Sequence, residues 1–176
     1  MPGHGTRWGY HRLADRYARD IVRAACVGPG DLVVDIGAGT GALTSHLLAA
    51  GARVIAVELH PARADRLRQQ FAHERVHVVR RDLALWRPPA RPYVVVANPP
   101  FDAITMLLRR LTAAHSSMSR GHLVVPSYVA GRWARGAAQA SRQYQVRTLR
   151  RLPDTAFMPA ATQRTAVIAI ERLRSA

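Results

Sequence analysis

The clearest chemistry in this sequence lies in Asn98-Pro99-Pro100-Phe101, which directly follows the apolar run 93–97. The Asn98 side-chain oxygen and the Pro99 carbonyl are hydrogen-bond acceptors, and Pro100 removes the next backbone donor. Such a cluster suits a planar amine, because the two acceptors can take its N–H groups while Phe101 stacks on the attached ring. Two consecutive prolines can also simply end a strand, so the segment alone leaves both interpretations open.

A second turn, Asp35-Ile36-Gly37-Ala38-Gly39-Thr40-Gly41, leaves a β-branched run and enters a helical pattern. Its glycines allow tight turning and close approach of the backbone to a ligand. A dinucleotide fingerprint would need a glycine where Ala42 stands, and no Gly-Lys-Ser/Thr follows for a phosphate-binding loop. The Gly-x-Gly-x-Gly form behind an acid is typical of methyltransferases that use S-adenosylmethionine (SAM). A purely structural strand–helix turn is the alternative.

Two acids follow at the ends of later apolar runs. Glu58 can accept hydrogen bonds from both hydroxyls of a ribose, and Asp82 can accept one from an adenine amine, with Leu83 near the ring face. Each has an ordinary alternative, a surface Glu and a turn-forming Asp. The order of glycine turn, Glu58, Asp82 and Asn98, each at a successive strand end, predicts SAM binding.

The elements that must position these residues alternate between strand-like and helix-like patterns. Such an order predicts an α/β fold, a seven-stranded, mostly parallel, Rossmann-like sheet with helices on both faces. Ligands of such sheets bind beyond the carboxyl ends of the strands, where the chemistry falls. The predicted strands are 32–36, 53–57, 76–79, 93–97 and 122–125, followed by an antiparallel pair, 143–149 and 165–170. The predicted helices are 13–27, 42–50, 61–71, 102–111 (capped by Asp102) and 127–140.

Length and composition predict one well-filled domain at 13–176 behind an N-terminal arm at 1–12, with 48% hydrophobic residues and no internal repeat. No run approaches the roughly 20 apolar residues of a membrane span, and the N-terminus lacks the apolar core of a signal peptide. The single Cys26 is expected to be a buried structural thiol. We expect a cytoplasmic monomer without membrane association.

The net charge of +15 is extreme for 176 residues, and all the basic residues are arginines. Residues 103–176 carry 12 arginines against Asp154 and Glu171, and residues 131–151 contain no acid. An unbalanced basic stretch points to a polyanion, here nucleic acid, although it can also serve solubility alone. The basic segment 131–151 and the N-terminal arm are therefore the expected RNA contacts: Arg7, Arg12, Arg132, Trp133, Arg135, Arg142 and Arg147, with Trp133 as the base-stacking residue.

From about Trp8 to Arg172 the chain resembles the Erm family of 23S rRNA adenine-N6 methyltransferases, relatives of the KsgA rRNA dimethylases. The motifs that carry the resemblance are 35–44, Val57-Glu58-Leu59, Arg81-Asp82, 96–101 and the late Phe157-x-Pro159 segment before a final strand. The resemblance implies transfer of a methyl group from SAM to one adenine of 23S rRNA. It further implies resistance to macrolide, lincosamide and streptogramin B antibiotics.

The resemblance also implies roles for individual positions. Glu58 would hold the SAM ribose, and Asp82 would bind its adenine. Asn98, Pro99, Pro100 and Phe101 would bind and activate the target base. The implied cofactor-binding residues are Tyr10, His11, Asp35, Gly37, Ala38, Gly39, Gly41, Glu58, Leu59, Asp82, Leu83 and Asn98.

Three departures from the family pattern stand out. The family's early Gln-Asn-Phe is replaced by Gly9-Tyr10-His11, so the local contacts to SAM must differ. Family members have Asn-Ile-Pro-Tyr where this chain has 98–101, which leaves mono- against dimethylation open. Most members add a small helical C-terminal domain, whereas this sequence ends six residues after Ile170. RNA contacts are therefore expected from the catalytic domain itself, as in some short members of the family.

The histidines show no metal-ligand spacing, so we predict no metal. Other enzymes with Asn-Pro-Pro-aromatic act on DNA adenine, rRNA guanine N2 or a protein glutamine, and these remain alternatives. A non-catalytic RNA-binding module on a methyltransferase fold is an alternative of another class.

Overall fold

The computed structural model describes residues 11–136 and 143–173. Within them, strands and helices alternate along most of the chain, as the spacing of apolar runs predicts. The strands are β1 (Arg12–Leu13), β2 (Leu32–Ile36), β3 (Arg53–Glu58), β4 (Val76–Arg80), β5 (Tyr93–Ala97), β6 (Met118–Pro126), β7 (Tyr144–Leu152), β8 (Phe157–Met158) and β9 (Thr165–Arg172). The α-helices are α1 (Asp15–Ala24), α2 (Ala42–Ala49), α3 (Pro61–Gln70), α4 (Ile104–Leu111) and α5 (Ser127–Ala134), and a 3-10 helix spans Asp154–Ala156.

Seven strands form one sheet in the order β4-β3-β2-β5-β6-β9-β7. The first five of these are parallel, and β9 runs antiparallel to both β6 and β7. The chain order reverses between β2 and β5, which pair directly through Val33–Val94 and Val34–Val95. The predicted seven-stranded, mostly parallel Rossmann-like sheet is confirmed, and its switch point lies between the two strands that carry the glycine turn and Asn98.

Helices cover both faces of the sheet because the central strands are apolar on both sides. Strands β2 and β5 are buried at every position. Side chains of α4 and α5 pack on one face, and those of α1, α2 and α3 pack on the other. Alternate residues of each strand therefore enter different core layers, as strand geometry requires.

Several predicted boundaries differ from the observed ones. Strand β6 begins at Met118 rather than 122, since Arg120 continues the strand while its guanidinium bonds Asp31 and the Ala25 and Cys26 carbonyls. Helix α5 ends at Ala134, and Asp102 does not cap α4, whose cap residue is Ala103.

The expectation of a buried thiol is also wrong. Helix α1 ends at Ala24, so Cys26 lies in the following turn with a positive φ of 48° and is exposed.

The first described residues join the end of the chain. Strand β1 pairs antiparallel with β8, with Leu13 opposite Phe157 and Arg12 opposite Met158. Leu13 is thus a strand residue rather than the start of a helix. This two-stranded pairing brings the N-terminal segment and the late Phe157-x-Pro159 segment to the same place.

Candidate functional site

The glycine turn and the Asn98 turn touch each other at the switch point. A Cβ atom added to Gly37 would lie 3.2 Å from the Pro99 Cα and 3.1 Å from the Pro100 Cδ. Gly37 also has a positive φ of 73°, which disfavours other residues. The close packing of the two turns therefore requires glycine here.

A cavity of about 330 Å³ opens beside this contact. Its size falls at the lower end of the range for small-molecule sites. Residues from four strand ends and from the N-terminal segment form its wall. They are His11, Gly37, Val57, Glu58, Leu59, Arg63, Asp82, Leu83, Asn98, Pro99, Pro100, Phe101, Asp102 and Ala103.

Glu58 is held rigidly in this wall, with 4% of its surface exposed. One oxygen accepts a bond from the Gly39 amide (2.9 Å), and the other accepts bonds from the His60 amide (2.8 Å) and Arg63 (3.0 Å). Because a carboxylate has about four lone-pair sites, it can still accept bonds from a ligand. The arrangement orients a buried anion toward the cavity, where it suits a pair of hydroxyl donors.

Arg63 and Arg110 are site residues that the motifs do not reveal. Arg63 belongs to the first turns of α3, which place it over the end of β3; its spacing from Glu58 is the only sequence signal. Arg110 donates to the carbonyls of Leu83 (2.6 Å), Trp86 (2.7 Å) and Ala84 (3.0 Å). It therefore fixes the loop that carries Asp82 and Leu83 from a position far along the chain.

Asp82 makes a turn contact and also lies in the cavity wall. Its Oδ1 accepts a bond from the Ala84 amide (2.8 Å), which is a turn-forming contact, and the residue also lines the cavity. The turn fixes the carboxylate at the cavity wall, so it can accept a bond from an amine there.

Asp35 lies behind the glycine turn rather than in the cavity wall. Its Oδ2 accepts a bond from the Thr44 hydroxyl at 2.7 Å, while its Oδ1 has no hydrogen-bond partner among the described residues. Burial raises the pKa of this carboxyl to about 7, and the Glu58 charge adds to the rise against the Thr44 hydrogen bond.

Three further residues of the glycine turn also stay out of the wall: Ala38, Gly39 and Gly41. The Gly39 amide is used by Glu58, and a Cβ on Gly41 would lie 2.8 Å from the Phe71 Cε2. That these three residues and Asp35 contact the cofactor stays a prediction. They shape the turn, and Gly37 alone of its glycines faces the cavity.

Asn98 is oriented by the N-terminal segment. Its Nδ2 donates to the His11 carbonyl at 2.9 Å. A carbonyl oxygen only accepts, so this bond fixes which way the amide lies and leaves Oδ1 as its free acceptor. Neither Asn98 Oδ1 nor the Pro99 carbonyl has a partner among residues 11–136 and 143–173, whereas the Pro100 carbonyl accepts from Ala103. The two acceptors proposed from sequence are thus both open at the cavity.

His11 also contacts the aromatic member of the motif. The His11 and Phe101 rings stack with centroids 6.3 Å apart and an interplanar angle of 22°. The His11 Nδ1 lies 3.2 Å from the Pro159 carbonyl, so the late segment fixes the histidine. The predicted cofactor-site residue His11 therefore lines the cavity; Tyr10 lies outside the described residues.

One residue of the predicted RNA surface is buried, and several others are exposed as expected. Trp133 is 1% exposed and packs in the core between α5 and the sheet, so it cannot stack on a base. Tyr128, on the first turn of the same helix, is 69% exposed. Arg132 is exposed on α5, Arg135 is exposed directly after it, and Arg12 is exposed on β1. Arg7 and Arg142 lie outside the described residues.

The basic segment is less unbalanced in space than in sequence. Arg147 pairs with Glu171 (3.2 Å), and Arg150 pairs with Asp20 (3.3 Å). Both acids come from distant parts of the chain, so a local charge count cannot see them.

No group of three or more potential metal ligands occurs within residues 11–136 and 143–173. Over the same residues, no helix has the length and apolarity needed to cross a membrane.

Comparisons with known proteins relate the chain to ribosomal RNA methyltransferases. The model of the family "Ribosomal RNA adenine dimethylase" matches residues 6–175. A "Ribosomal RNA small subunit methyltransferase A" from Synechococcus sp. is 33% identical over 96% of this chain, and one from Leifsonia xyli is 42% identical over 67% of it. The chain spans 67% and 45% of the lengths of these two relatives.

Among solved structures, the 23S rRNA methyltransferase ErmE aligns with a TM-score of 0.80 and 21% identity. The alignment covers 91% of this chain and 69% of ErmE. At this identity the likeness supports the fold.

Proposed function

We propose, from the premise that the chain belongs to the ribosomal RNA adenine dimethylase family, that it methylates the N6 amine of an adenine in 23S rRNA. The observation that carries the proposal is the pair of open acceptors, Asn98 Oδ1 and the Pro99 carbonyl, beside the Phe101 ring. The choice of 23S rRNA rests on the resemblance to the Erm family. Resistance to macrolide, lincosamide and streptogramin B antibiotics is its expected consequence.

The cofactor of this family is SAM, and the cavity fits it. Glu58 and Asp82 would hold the ribose hydroxyls and the adenine amine, with Leu83 against the ring. Gly37, which lets the two turns pack closely, also lines the cavity beside them. When bound, SAM supplies an electrophilic methyl group on a sulfonium.

The chain's own residues prepare the amine for attack. The lone pair of an adenine amine is delocalised into the ring, which makes it a poor nucleophile. Donation of its two N–H groups to Asn98 and Pro99 favours a pyramidal nitrogen with a localised lone pair. Phe101 holds the ring by stacking, so that catalysis arises from positioning and electrostatics. No strong general base is needed, because the nitrogen becomes acidic once it is methylated, and its proton leaves to solvent.

The target adenine has to be unpaired or flipped out of a helix to reach these groups. Pro99 occupies the position where the Erm family has an aliphatic residue, so we expect the number of methyl groups added to depend on it. The loss of the flexible side chain there reshapes the wall next to the amine.

The second candidate substrate is small-subunit rRNA. It is favoured by relatives at 33% and 42% identity that carry the name "Ribosomal RNA small subunit methyltransferase A". The same acceptors and the same cofactor would serve it, so the two candidates differ only in the RNA.

Incubation with labelled SAM and separately purified, protein-free 23S or small-subunit rRNA tests both candidates. The proposal predicts label in 23S rRNA, at one adenine that primer extension and mass spectrometry can map. Label confined to small-subunit rRNA would support the second candidate and overturn the first. Label found only in protein or DNA, or at a guanine, would contradict both.

A resistance measurement complements the mapping. Expression in a macrolide-sensitive host should raise the inhibitory concentration of erythromycin, and the Asn98→Ala variant expressed at the same level should not. An unchanged inhibitory concentration beside efficient 23S methylation would place the modified adenine away from the drug site.

A further inference from the structure

A groove on one face of the sheet results from a missing helix. The connection from β4 to β5, residues 81–92, contains no helix, whereas α2, α3 and α4 cover the other parallel crossovers. The face of β3 and β4 that carries Ile55 and Val79 is therefore only partly covered. Two adjoining hollows of about 730 and 500 Å³ follow, and they share Leu32, Ile55, His77 and Arg91 in their walls.

The loop that borders the groove is fixed at both ends. Arg110 binds three carbonyls in 83–86, and the Ser117 hydroxyl donates to the Ala90 carbonyl at 2.6 Å. The loop also links the groove to the catalytic cavity, since Asp82 and Leu83 line the cavity while Leu85 and Trp86 line the groove. The groove is thus a formed surface that adjoins the site at its loop end and extends to the amino ends of β2, β3 and β4.

The residues that line the groove carry a large excess of positive charge. Five arginines line it, and the single acid among the lining residues is Glu74. None of these arginines makes an ion pair or a side-chain hydrogen bond within residues 11–136 and 143–173, in contrast to Arg147 and Arg150. They are Arg53, Arg75, Arg81, Arg87 and Arg91.

The floor offers ring and apolar surface between these charges. Leu85 is 68% exposed, His77 is exposed on the edge strand β4, and Ile55 lies directly opposite His77 in the β3–β4 register. A basic groove with ring and apolar contacts on its floor is the arrangement that binds single-stranded nucleic acid. Cationic rims bind phosphates, and the floor accepts the faces of unpaired bases.

We infer that this groove, lined by residues of β3, β4 and the loop 81–92, binds single-stranded RNA that flanks the target adenine. The inference rests on the proposed function for the identity of the RNA, and it adds a second contact surface to the segment 131–151. Charge complementarity favours RNA over a protein partner. A protein that docked here would have to bury several acids of its own against the exposed arginines.

The test uses two double variants that remove the same charge. Arg87→Gln/Arg91→Gln lies in the groove. The control Arg23→Gln/Arg66→Gln removes two exposed arginines of α1 and α3, whose side chains likewise make no ion pair or hydrogen bond within residues 11–136 and 143–173. Binding of a fluorescent, unstructured 20-nucleotide RNA is measured for the full chain over a range of salt concentrations.

In the groove variant, the slope of log affinity against log salt should shrink by about 1.4, and the affinity at 0.1 M salt should fall on the order of 20-fold. The control should keep the wild-type slope. The SAM affinity and the turnover at saturating rRNA should be unchanged in both, because neither variant touches the cavity.

A variant in the floor of the groove tests the contact with a base separately from the contacts with phosphates. His77→Ala should weaken the same RNA by about fivefold or more with an unchanged salt slope, because it removes a base contact and no phosphate contact. Equal affinity and slope in the groove variant and the control would overturn the inference and leave the groove to a protein partner. Methylation of rRNA by the wild-type chain is measured separately. If the wild-type chain did not methylate rRNA, the proposed function would be rejected, but whether the groove binds RNA would not be decided by that result.

Discussion

The two turns that meet at the switch point use their polar groups in opposite ways. In the glycine turn after β2, Asp35 is bound to Thr44, the Gly39 amide is bound to Glu58, and Gly41 packs against Phe71. In the turn after β5, the Asn98 Nδ2 donates to the His11 carbonyl, and Asn98 Oδ1 accepts no bond within the described residues. The Pro99 carbonyl also accepts none there. We therefore propose that the first turn serves mainly as a scaffold and that the second presents the contacts to the substrate.

On this proposal, a motif marks a place in the fold without marking every residue in it as a ligand contact. Positions that hold a turn in shape have polar groups that are already hydrogen-bonded within the protein, whereas positions that face a substrate have polar groups without such partners. Substitutions in the two turns should therefore fail in different ways, one through stability and the other through methyl transfer.

Asn98→Ala should reduce turnover about 10³-fold, as expected when one preorganised hydrogen bond to the reacting group is lost. SAM affinity should change little, because Glu58 and Asp82 remain. Steady-state labelling of rRNA and calorimetric SAM titration measure the two quantities. His11→Ala keeps the backbone carbonyl that orients Asn98 and removes the ring stacked on Phe101, so it should cost far less than Asn98→Ala. Near-normal turnover in Asn98→Ala would refute the assigned role.

Glu58→Gln should weaken SAM binding about 10- to 100-fold, because charge-assisted hydrogen bonds to the ribose are lost and Arg63 is left without its carboxylate. Turnover at saturating SAM should fall less. Titration with SAM measures the loss. Asp65→Asn breaks an exposed ion pair with Arg68 on the same helix and should leave the affinity unchanged. An equal effect of the two variants would contradict a specific role for Glu58.

Gly41→Ala should destabilise the fold by about 2 to 4 kcal/mol, through a positive φ of 86° and overlap with the Phe71 ring. Urea unfolding measures the change. Phe71→Leu in the same chain should recover part of it by making room. The folded fraction should still bind SAM with nearly normal affinity. Lost SAM affinity with unchanged stability would instead make Gly41 a cofactor contact and break the distinction between the turns.

Asp35→Asn should change mainly the pH dependence of stability. The folded-state pKa of Asp35 is raised to about 7 from 3.8, so the folded state favours its protonated form. Its contribution to stability is full below pH 4 and is lost as pH rises toward 7. Stability of the asparagine variant relative to wild type should therefore increase between pH 4 and 7 and then level off. Urea unfolding at several pH values tests this, and a pH-independent difference would contradict it.

Much of the fold follows from local patterns. The apolar runs of β2 and β5 and the Pro61 start of α3 appear where the sequence predicts them, because continuous β-branched runs and a proline at a helix start are strong local signals. The strand-end rule for parallel sheets then brings Gly37, Glu58, Asp82 and Asn98 together.

What the patterns miss depends on contacts between distant residues. Arg110 acts on a loop about 25 residues away in sequence, and Asp20 reaches Arg150 across the chain. Trp133 is different, because its burial could have been predicted. Val129, Ala130 and Trp133 lie on one apolar face of the helix. The sequence shows no helical pattern between the predicted strands 76–79 and 93–97. The basic groove that results could be found only from the register of the sheet.

The most direct test of the central claim is the identity of the methylated nucleoside. Protein-free rRNA is incubated with SAM and either wild-type chain or Asn98→Ala, digested to nucleosides and analysed by mass spectrometry. The account predicts N6-methylated adenosine with the wild type and almost none with the variant, which still binds SAM. Methylated guanosine, methylated adenosine at equal levels in both, or an unmodified digest would contradict it.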